Sequence, residues 1–260
     1  MDFIIDSDLH IHSYLSKCAS NMEMTVENIL GLAQSLGYKK IAITDHVWDS
    51  SVKGAPPWYQ VQSIDYIKQL LPLPSSTKTK VLFGGEFEFT GDDEISIFDK
   101  KISNFNFIVV PINHLHMKGV TVPNTDLTNE DYGQILTRRL KNFSKSKVCW
   151  NKVGLAHLTW TFLTKYSVQE IFSNVDRVVL QDSFKRIADN GGGIELNACC
   201  FTGEDTDYEY EIYNIAKKCG CKFYVASDAH SLAELKNAKP KLEKIVKTLN
   251  LKQTDKFIVG

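Results

Sequence analysis

The apolar positions of the chain fall into short continuous runs separated by longer stretches of helical period. Lys40-Ile41-Ala42-Ile43-Thr44, Phe107-Ile108-Val109-Val110-Pro111-Ile112 and Lys222-Phe223-Tyr224-Val225-Ala226-Ser227 have strand length, and their near-continuous apolar character is that of strands covered on both faces. Phe3 to His12, Lys80 to Phe89, Val153 to His157 and Ile194 to Asn197 add four more. Between the first two runs Thr25 offers an N-cap, Ile29, Leu30, Ala33 and Leu36 make an apolar stripe, and Gly37 stops the helix. Further helices are expected at about Ser63 to Leu71, Asn129 to Lys145, Val168 to Phe172, Asp182 to Asn190, Asp207 to Lys218 and Lys239 to Leu249. Short strand–helix–strand connections specify parallel pairing. The pattern therefore predicts an α/β fold, one domain over residues 1–260: a closed parallel barrel ringed by helices, one strand short of the common eight. An open doubly wound sheet is the second choice.

Composition narrows the function classes. The 260 residues are 43% hydrophobic, enough for a full core, and the net charge of -1 gives no global basic field for nucleic acid. No apolar run reaches the length of a membrane span, and Met1-Asp2-Phe3 carries no positively charged leader, so a cytoplasmic chain is expected. Six cysteines are too few for a disulfide scaffold at this length and lack zinc-finger spacing; most are expected to be reduced and buried.

The candidate chemistry sits at the strand ends. All seven histidines (His10, His12, His46, His114, His116, His157 and His230) lie at or just past the C-terminal end of an expected strand. In a parallel barrel those ends meet on one face, where active sites form. His10 and His12 share a face because strand side chains alternate, and the neighbouring Asp8 can help orient one of them. Glu86 and Asp228 occupy equivalent places. Imidazoles and carboxylates together suit Zn²⁺, Mn²⁺ or Fe²⁺, and the set exceeds what one tetrahedral ion needs, so two or three divalent ions are expected. Paired ions suit displacement at phosphorus, because they generate a hydroxide nucleophile and stabilise both attacking and leaving oxygens.

Asp8-Leu9-His10-Ile11-His12, Thr44-Asp45-His46, Gly85-Glu86, His114, Ala156-His157 and Ser227-Asp228-Ala229-His230 follow the order and spacing of the polymerase and histidinol phosphatase (PHP) superfamily, which the chain resembles from His10 to His230. The resemblance implies a distorted seven-stranded TIM-like barrel, a di- or trinuclear metal centre, phosphoester hydrolysis and, at this length, a histidinol-phosphatase-type enzyme. It implies that His10, His12, Glu86 and Asp228 hold the first ion, that Glu86 (bridging), His114 and His157 hold the second, and that His46 and His230 belong to the third. The family's further third-site histidine is replaced by Cys18, whose thiolate binds Zn²⁺ but whose presence leaves open a weak or empty site. Asp228 or a nearby histidine such as His230 would assist proton transfer to the leaving group.

Other residues carry open alternatives. His116 is a substrate group or an alternative to His114. Asn197 touches substrate or makes a structural hydrogen bond. Glu88 reads as a barrel or rim carboxylate rather than a ligand, and Asp45 as a group that orients His46 or bridges through water. Lys17, Lys53, Lys118 and Arg186 are candidates to anchor phosphate, while Arg138 and Arg139 are expected on a solvated helix face. Trp48, Trp58 and Trp160 are candidates for the pocket wall. The functional expectation is a phosphatase of a small phosphomonoester, with L-histidinol phosphate the first substrate to try. A nuclease or nucleotide phosphodiesterase with the same metals, and a non-catalytic metal-stabilised binding module, are the alternatives.

Overall fold

The computed structural model describes residues 1–19, 21–91, 93–161, 164–201 and 206–260. Seven strands pair in sequence order and all in parallel: β1 (Ser7–Ile11), β2 (Lys40–Ile43), β3 (Lys80–Phe87), β4 (Phe107–Val110), β5 (Val153–Leu155), β6 (Gly193–Asn197) and β7 (Lys222–Ala226). The ring is nearly closed. Past the end of β7, Asp228 N donates to His10 O at 2.9 Å and His12 N to Ala229 O at 3.1 Å, joining the last strand to the first where the histidines cluster. The barrel is thus the architecture the apolar runs predict, and the open sheet is excluded.

The helices α1 (Val26–Ser35), α2 (Asn129–Phe143), α3 (Arg177–Asp189), α4 (Asp207–Lys218) and α5 (Leu232–Thr248) surround the strands. Inside the ring, Leu9, Ala42, Leu82, Phe107, Val109, Ala156, Tyr224 and Ala226 pack together, and Phe257 from the C-terminal segment joins them. Gly154 of β5 makes room for this filling, since a Cβ there would lie 2.6 Å from Tyr224 Cζ.

Several boundaries differ from expectation, each for a physical reason. Phe3–Ile5 precede β1 rather than belonging to it, and this N-terminal stretch is tied to the C-terminal segment, with Ile4 N donating to Gln253 Oε1 at 3.1 Å. β3 ends at Phe87, and Phe89–Thr90 pairs instead in an antiparallel hairpin with Glu94–Ile95. α3 starts at Arg177, capped by Asp176; exposed Val178 breaks the apolar stripe that would have marked this first turn. α5 starts at Leu232, capped by Ser231, and runs through Pro240, which in the sequence reads as a helix start. Arg139 is buried rather than solvated. Its guanidinium donates to the carbonyls of Gly91 and Ile112 at 2.9 Å each and to that of Thr121, so a residue that counts as polar in a helical stripe ties together the loops after β3 and β4. Only Cys200 and Cys221 of the six cysteines are buried; Cys18, Cys149 and Cys199 are exposed. No helix among the described residues is long and apolar enough to cross a membrane.

Candidate metal centre

The strand ends bring all seven histidines into one continuous group. Ring centroids lie 5.1 Å apart for His10–His12, 5.7 Å for His10–His157, 4.8 Å for His12–His46, 4.3 Å for His12–His230, 6.0 Å for His46–His114 and 5.4 Å for His114–His116. Local backbone irregularity aims some of these side chains. The β1–β2 register slips between Asp8 and Ile11, so Leu9 joins the barrel interior while Ile11 packs under α1 with Ile29 and Ala33. His157 (φ 22°) and Asp228 (φ 54°) both adopt the left-handed region, which is uncommon for non-glycine residues and concentrates at functional sites.

Glu86 is the hub. Its Oε2 lies 3.4 Å from His10 Nε2, 3.5 Å from His12 Nε2 and 2.9 Å from His46 Nδ1, while Oε1 lies 3.2 Å from His157 Nε2 and 3.7 Å from His114 Nε2. Asp228 Oδ1 completes the inner side, 3.0 Å from His12 Nε2 and 3.4 Å from His10 Nε2. Gly84, two residues before Glu86, allows the close strand approach that places it: a Cβ would meet the carbonyls of Phe107 and Ile43 at 2.8 and 2.9 Å.

The outer nitrogens of the rings are held by the protein. His10 Nδ1 faces Glu195 Oε2 at 3.0 Å. His12 Nδ1 faces Ser16 Oγ at 2.9 Å; that hydroxyl donates to Asp45 Oδ1 at 2.8 Å, so it accepts from the ring. His114 Nδ1 faces Glu88 Oε1 at 2.7 Å, and Tyr59 Oη donates to the same oxygen. His157 Nδ1 faces Asn113 Oδ1 at 3.2 Å; the Asn113 amide is oriented by donating to the carbonyls of His157 and Trp160. His230 Nδ1 donates to the Asp228 carbonyl at 2.7 Å. With Nδ1 protonated, the Nε2 lone pairs of these five rings are available to a ligand, the arrangement that orients metal-ligating imidazoles.

Electrostatics follow from the burial. Burial opposes charge on His10, yet Glu195, Asp228 and Glu86 outweigh it and hold His10 well above the ordinary histidine range. Burial likewise opposes the charged His46, and Glu86 and Cys18 overcome it. His12 is pushed down to about 3 by burial and by the positive His230 and His46. Glu86 stays ionised well below the usual carboxylate range despite its burial, because His46 and His10 flank it, and Asp228 is lowered chiefly by His10 and His12. Protons on the imidazoles therefore offset two buried carboxylates, and a divalent cation would displace those protons on binding.

The residues fit divalent metal. Glu86 Oε2 is buried and has no hydrogen-bond partner, yet three imidazole nitrogens surround it. Three groups have ligand atoms within 4.8 Å of one another: His10, His12 and Glu86; Glu86, His114 and His157; and His12, Cys18, His46 and His230. All the expected metal-site residues converge here.

Beside the cluster opens a cavity of about 830 Å³ lined by Cys18, His46, Glu86, His114, His116, His157, Asp228 and His230, by the apolar Pro56, Trp58, Met117, Val120 and Trp160, and by Tyr59, Lys118 and Glu234. His116 and Lys118 are thus part of the cavity wall. Arg186 is not: it is exposed on α3, outside this cavity, because its helix belongs to the outer ring. Asn197 is fully buried and spends its amide on Glu195 Oε1 (2.6 Å) and on the Cys199 N–H, the structural alternative. Trp48 is buried, whereas Trp58 and Trp160 line the cavity. Asp8 does not orient a histidine ring; its Oδ1 accepts from the backbone of His10 and Ser227. Asp45 acts on His12 through Ser16 rather than on His46 directly, and Glu88 is the buried barrel carboxylate of the two alternatives, set against His114 Nδ1. Tyr59, Ser16 and Asn113 have no assigned role in the sequence, and Glu195 stands out there only as a neighbour of Asn197 in Glu195-Leu196-Asn197. Alternation from Asn197 along β6 is the signal that could have found Glu195.

The molecule is thus an α/β barrel of seven strands with an imidazole–carboxylate cluster at its strand ends. Its fold is similar to that of histidinol phosphate phosphatase from Lactococcus lactis subsp. lactis, solved with zinc, L-histidinol and phosphate (TM-score 0.64, 15% identity, covering 98% of this chain and 99% of that one). A second solved match, covering 96% of each chain at 12% identity and a TM-score of 0.38, comes from work on YwqE from Bacillus subtilis and CpsB from Streptococcus pneumoniae, described as metal-dependent tyrosine phosphatases. No family model and no curated protein matches the chain. At 15% identity the likeness to the first of these structures is one of fold.

Proposed function

We propose that the protein is a metal-dependent phosphatase of small phosphomonoesters. The observation that carries this is the partnerless, buried Glu86 Oε2 set among the His10, His12 and His46 nitrogens, at the floor of a cavity of substrate size. In this reading His10, His12, Glu86 and Asp228 hold one ion, Glu86, His114 and His157 a second, and the group of His46, His230 and Cys18 is available to a third. Bound ions would supply Lewis-acid charge to the phosphoryl oxygens and an activated water. Among the described residues lining the cavity, Lys118 is the one lysine or arginine, and it already pairs with Asp126 at 2.8 Å, which supports a site that relies on cations for phosphate charge.

The protein's own groups do the rest. Glu195, Ser16, Glu88 and Asn113 fix the ring tautomers, so the site is organised before substrate arrives. Asp228 lines the cavity wall, where its carboxylate would relay a proton from the attacking water to the leaving alkoxide. Trp58, Trp160 and Met117 exclude water around the leaving group. At the level of substrate we propose a histidinol-phosphatase-like specificity. What supports it is the motif resemblance and the likeness of fold.

The test is turnover of p-nitrophenyl phosphate with added Mn²⁺ or Zn²⁺, followed by a monoester panel that includes L-histidinol phosphate. Metal-stimulated turnover that disappears in Glu86→Ala is the expected result. Full activity in that variant, or none in the reconstituted wild type, would overturn the reading.

A further inference from the structure

The outermost ligand group differs in chemistry from the two inner ones. Those are built from imidazole and carboxylate alone, whereas the outer one contains a thiol: ligand atoms of His12, Cys18, His46 and His230 lie within 4.8 Å of one another. His12 Nε2 is turned inward, 3.0 Å from Asp228 Oδ1 and 3.2 Å from His10 Nε2, and its Nδ1 is taken by Ser16. That leaves Cys18, His46 and His230 as the outer set. His230 has Nδ1 committed to the Asp228 carbonyl at 2.7 Å and offers Nε2, and His46 has Nδ1 2.9 Å from Glu86 and likewise offers Nε2.

Cys18 is held in place for this. It lies on the short 3-10 turn Lys17–Ala19 that follows β1. Lys17 N donates to Gln62 Oε1 at 2.9 Å, and Ala19 N to Ser16 O at 2.9 Å, so both sides of the cysteine are fixed. Its residue is exposed and lines the cavity beside His46 and His230.

We propose that Cys18, His46 and His230 form a thiolate-containing Cys/His₂ site for a zinc-class cation, with its fourth position open to the cavity. A set of one soft and two borderline ligands favours Zn²⁺ or Co²⁺ over Mn²⁺ and Mg²⁺, while the inner imidazole–carboxylate groups discriminate less. The three sites then differ in ion preference, and Cys18 is the residue that makes them differ. The assignment rests on the metal reading of the centre but not on any substrate.

The experiment is Co²⁺ loading of the full-length apoprotein, read by near-ultraviolet absorption and by metal content, together with alkylation of Cys18 by iodoacetamide mapped on its peptide. The wild type should show a thiolate-to-cobalt charge-transfer band. Zn²⁺ should slow Cys18 alkylation about tenfold or more, since a bound thiolate is withdrawn from reaction, while exposed Cys149 serves as the unprotected control. Cys18→Ser should lose the band and one equivalent of metal. Cys18→His should keep the equivalent, lose the band, and bind Mn²⁺ at that site more nearly as well as Zn²⁺. Inner-site cobalt bound without the band, with Cys18 alkylated equally fast in the presence of Zn²⁺, would overturn this inference and leave the phosphatase reading standing. Failure of the wild type to take up any metal would overturn both.

Discussion

Glu195 is where the positioning of the centre is most exposed to test. It is fully buried and accepts from three sides: His10 Nδ1 at 3.0 Å on Oε2, Tyr224 Oη at 2.9 Å on Oε2, and Asn197 Nδ2 at 2.6 Å on Oε1. Glu195→Gln keeps the volume but turns one oxygen into an NH₂ group. If that group replaces Oε1 it faces the Asn197 amide donor, and a buried unsatisfied donor costs about 1–3 kcal/mol. If it replaces Oε2 it must donate to His10 Nδ1, which forces the ring proton onto Nε2, the atom that points at Glu86. Either orientation penalises the metal-ready arrangement. Loss of such an orienting partner lowers metal affinity about 10–100-fold, which is about 1.4–2.8 kcal/mol. The assay is Zn²⁺ titration of the apoprotein against a chelating indicator, run beside a thermal melt. A drop of one to two decades in the affinity of the tightest site is expected, with a melt that shows the variant still folded. An affinity within twofold of wild type, with the apoprotein melting unchanged, would refute the argument that Glu195 sets the His10 tautomer.

Other perturbations follow the same logic. Gly154→Ala pushes a methyl into the Tyr224 ring beneath Glu195 and should destabilise by about 1–3 kcal/mol in urea unfolding; wild-type stability would mean that the barrel interior has slack there. Arg139→Met strips the buried carbonyls of Ile112 and Thr121, and that of exposed Gly91, of their donor and should cost about 2–5 kcal/mol of stability, read in the same experiment. Asp8 is raised to about 7 by burial, with its bonds to Ser227 and His10 only partly opposing that. Because its folded value exceeds the unfolded one, the unfolded chain gives up this proton first, and stability of the apoprotein should fall as pH rises from about 4 to 7. Asp8→Asn should flatten that part of the melting profile; an unchanged slope would count against the burial argument.

How much of this was visible beforehand depends on the kind of contact. The parallel barrel was legible because each buried strand announces itself as an apolar run, and the cluster because every histidine follows such a run. What was hidden depends on pairing between distant segments. The slip in β1 that separates Leu9 from Ile11 follows from fitting β1 against β2, and nothing within the first run signals it. Arg139 reads as polar in any helical stripe, yet three carbonyls from other loops make its burial favourable. Glu195 and Asn197 alternate on β6, so both were within reach of the same rule, but only contact with His10, from the first strand, distinguishes the group that positions a ligand from the one that holds it. Cys18 was marked by its departure from the family pattern, and the structure adds the neighbours, His46 and His230, that give the thiol a role to test.

The most direct measurement of the central claim is metal content by plasma emission for wild type and Glu86→Ala after identical reconstitution, with phosphatase turnover recorded on the same samples. Two or more ions per chain and turnover in the wild type, with the turnover and the ions that Glu86 would hold lost in Glu86→Ala and at most the outer Cys18 site still filled, is the result this account predicts. A metal-free wild type, or a Glu86→Ala protein that keeps its ions and its turnover, would contradict it.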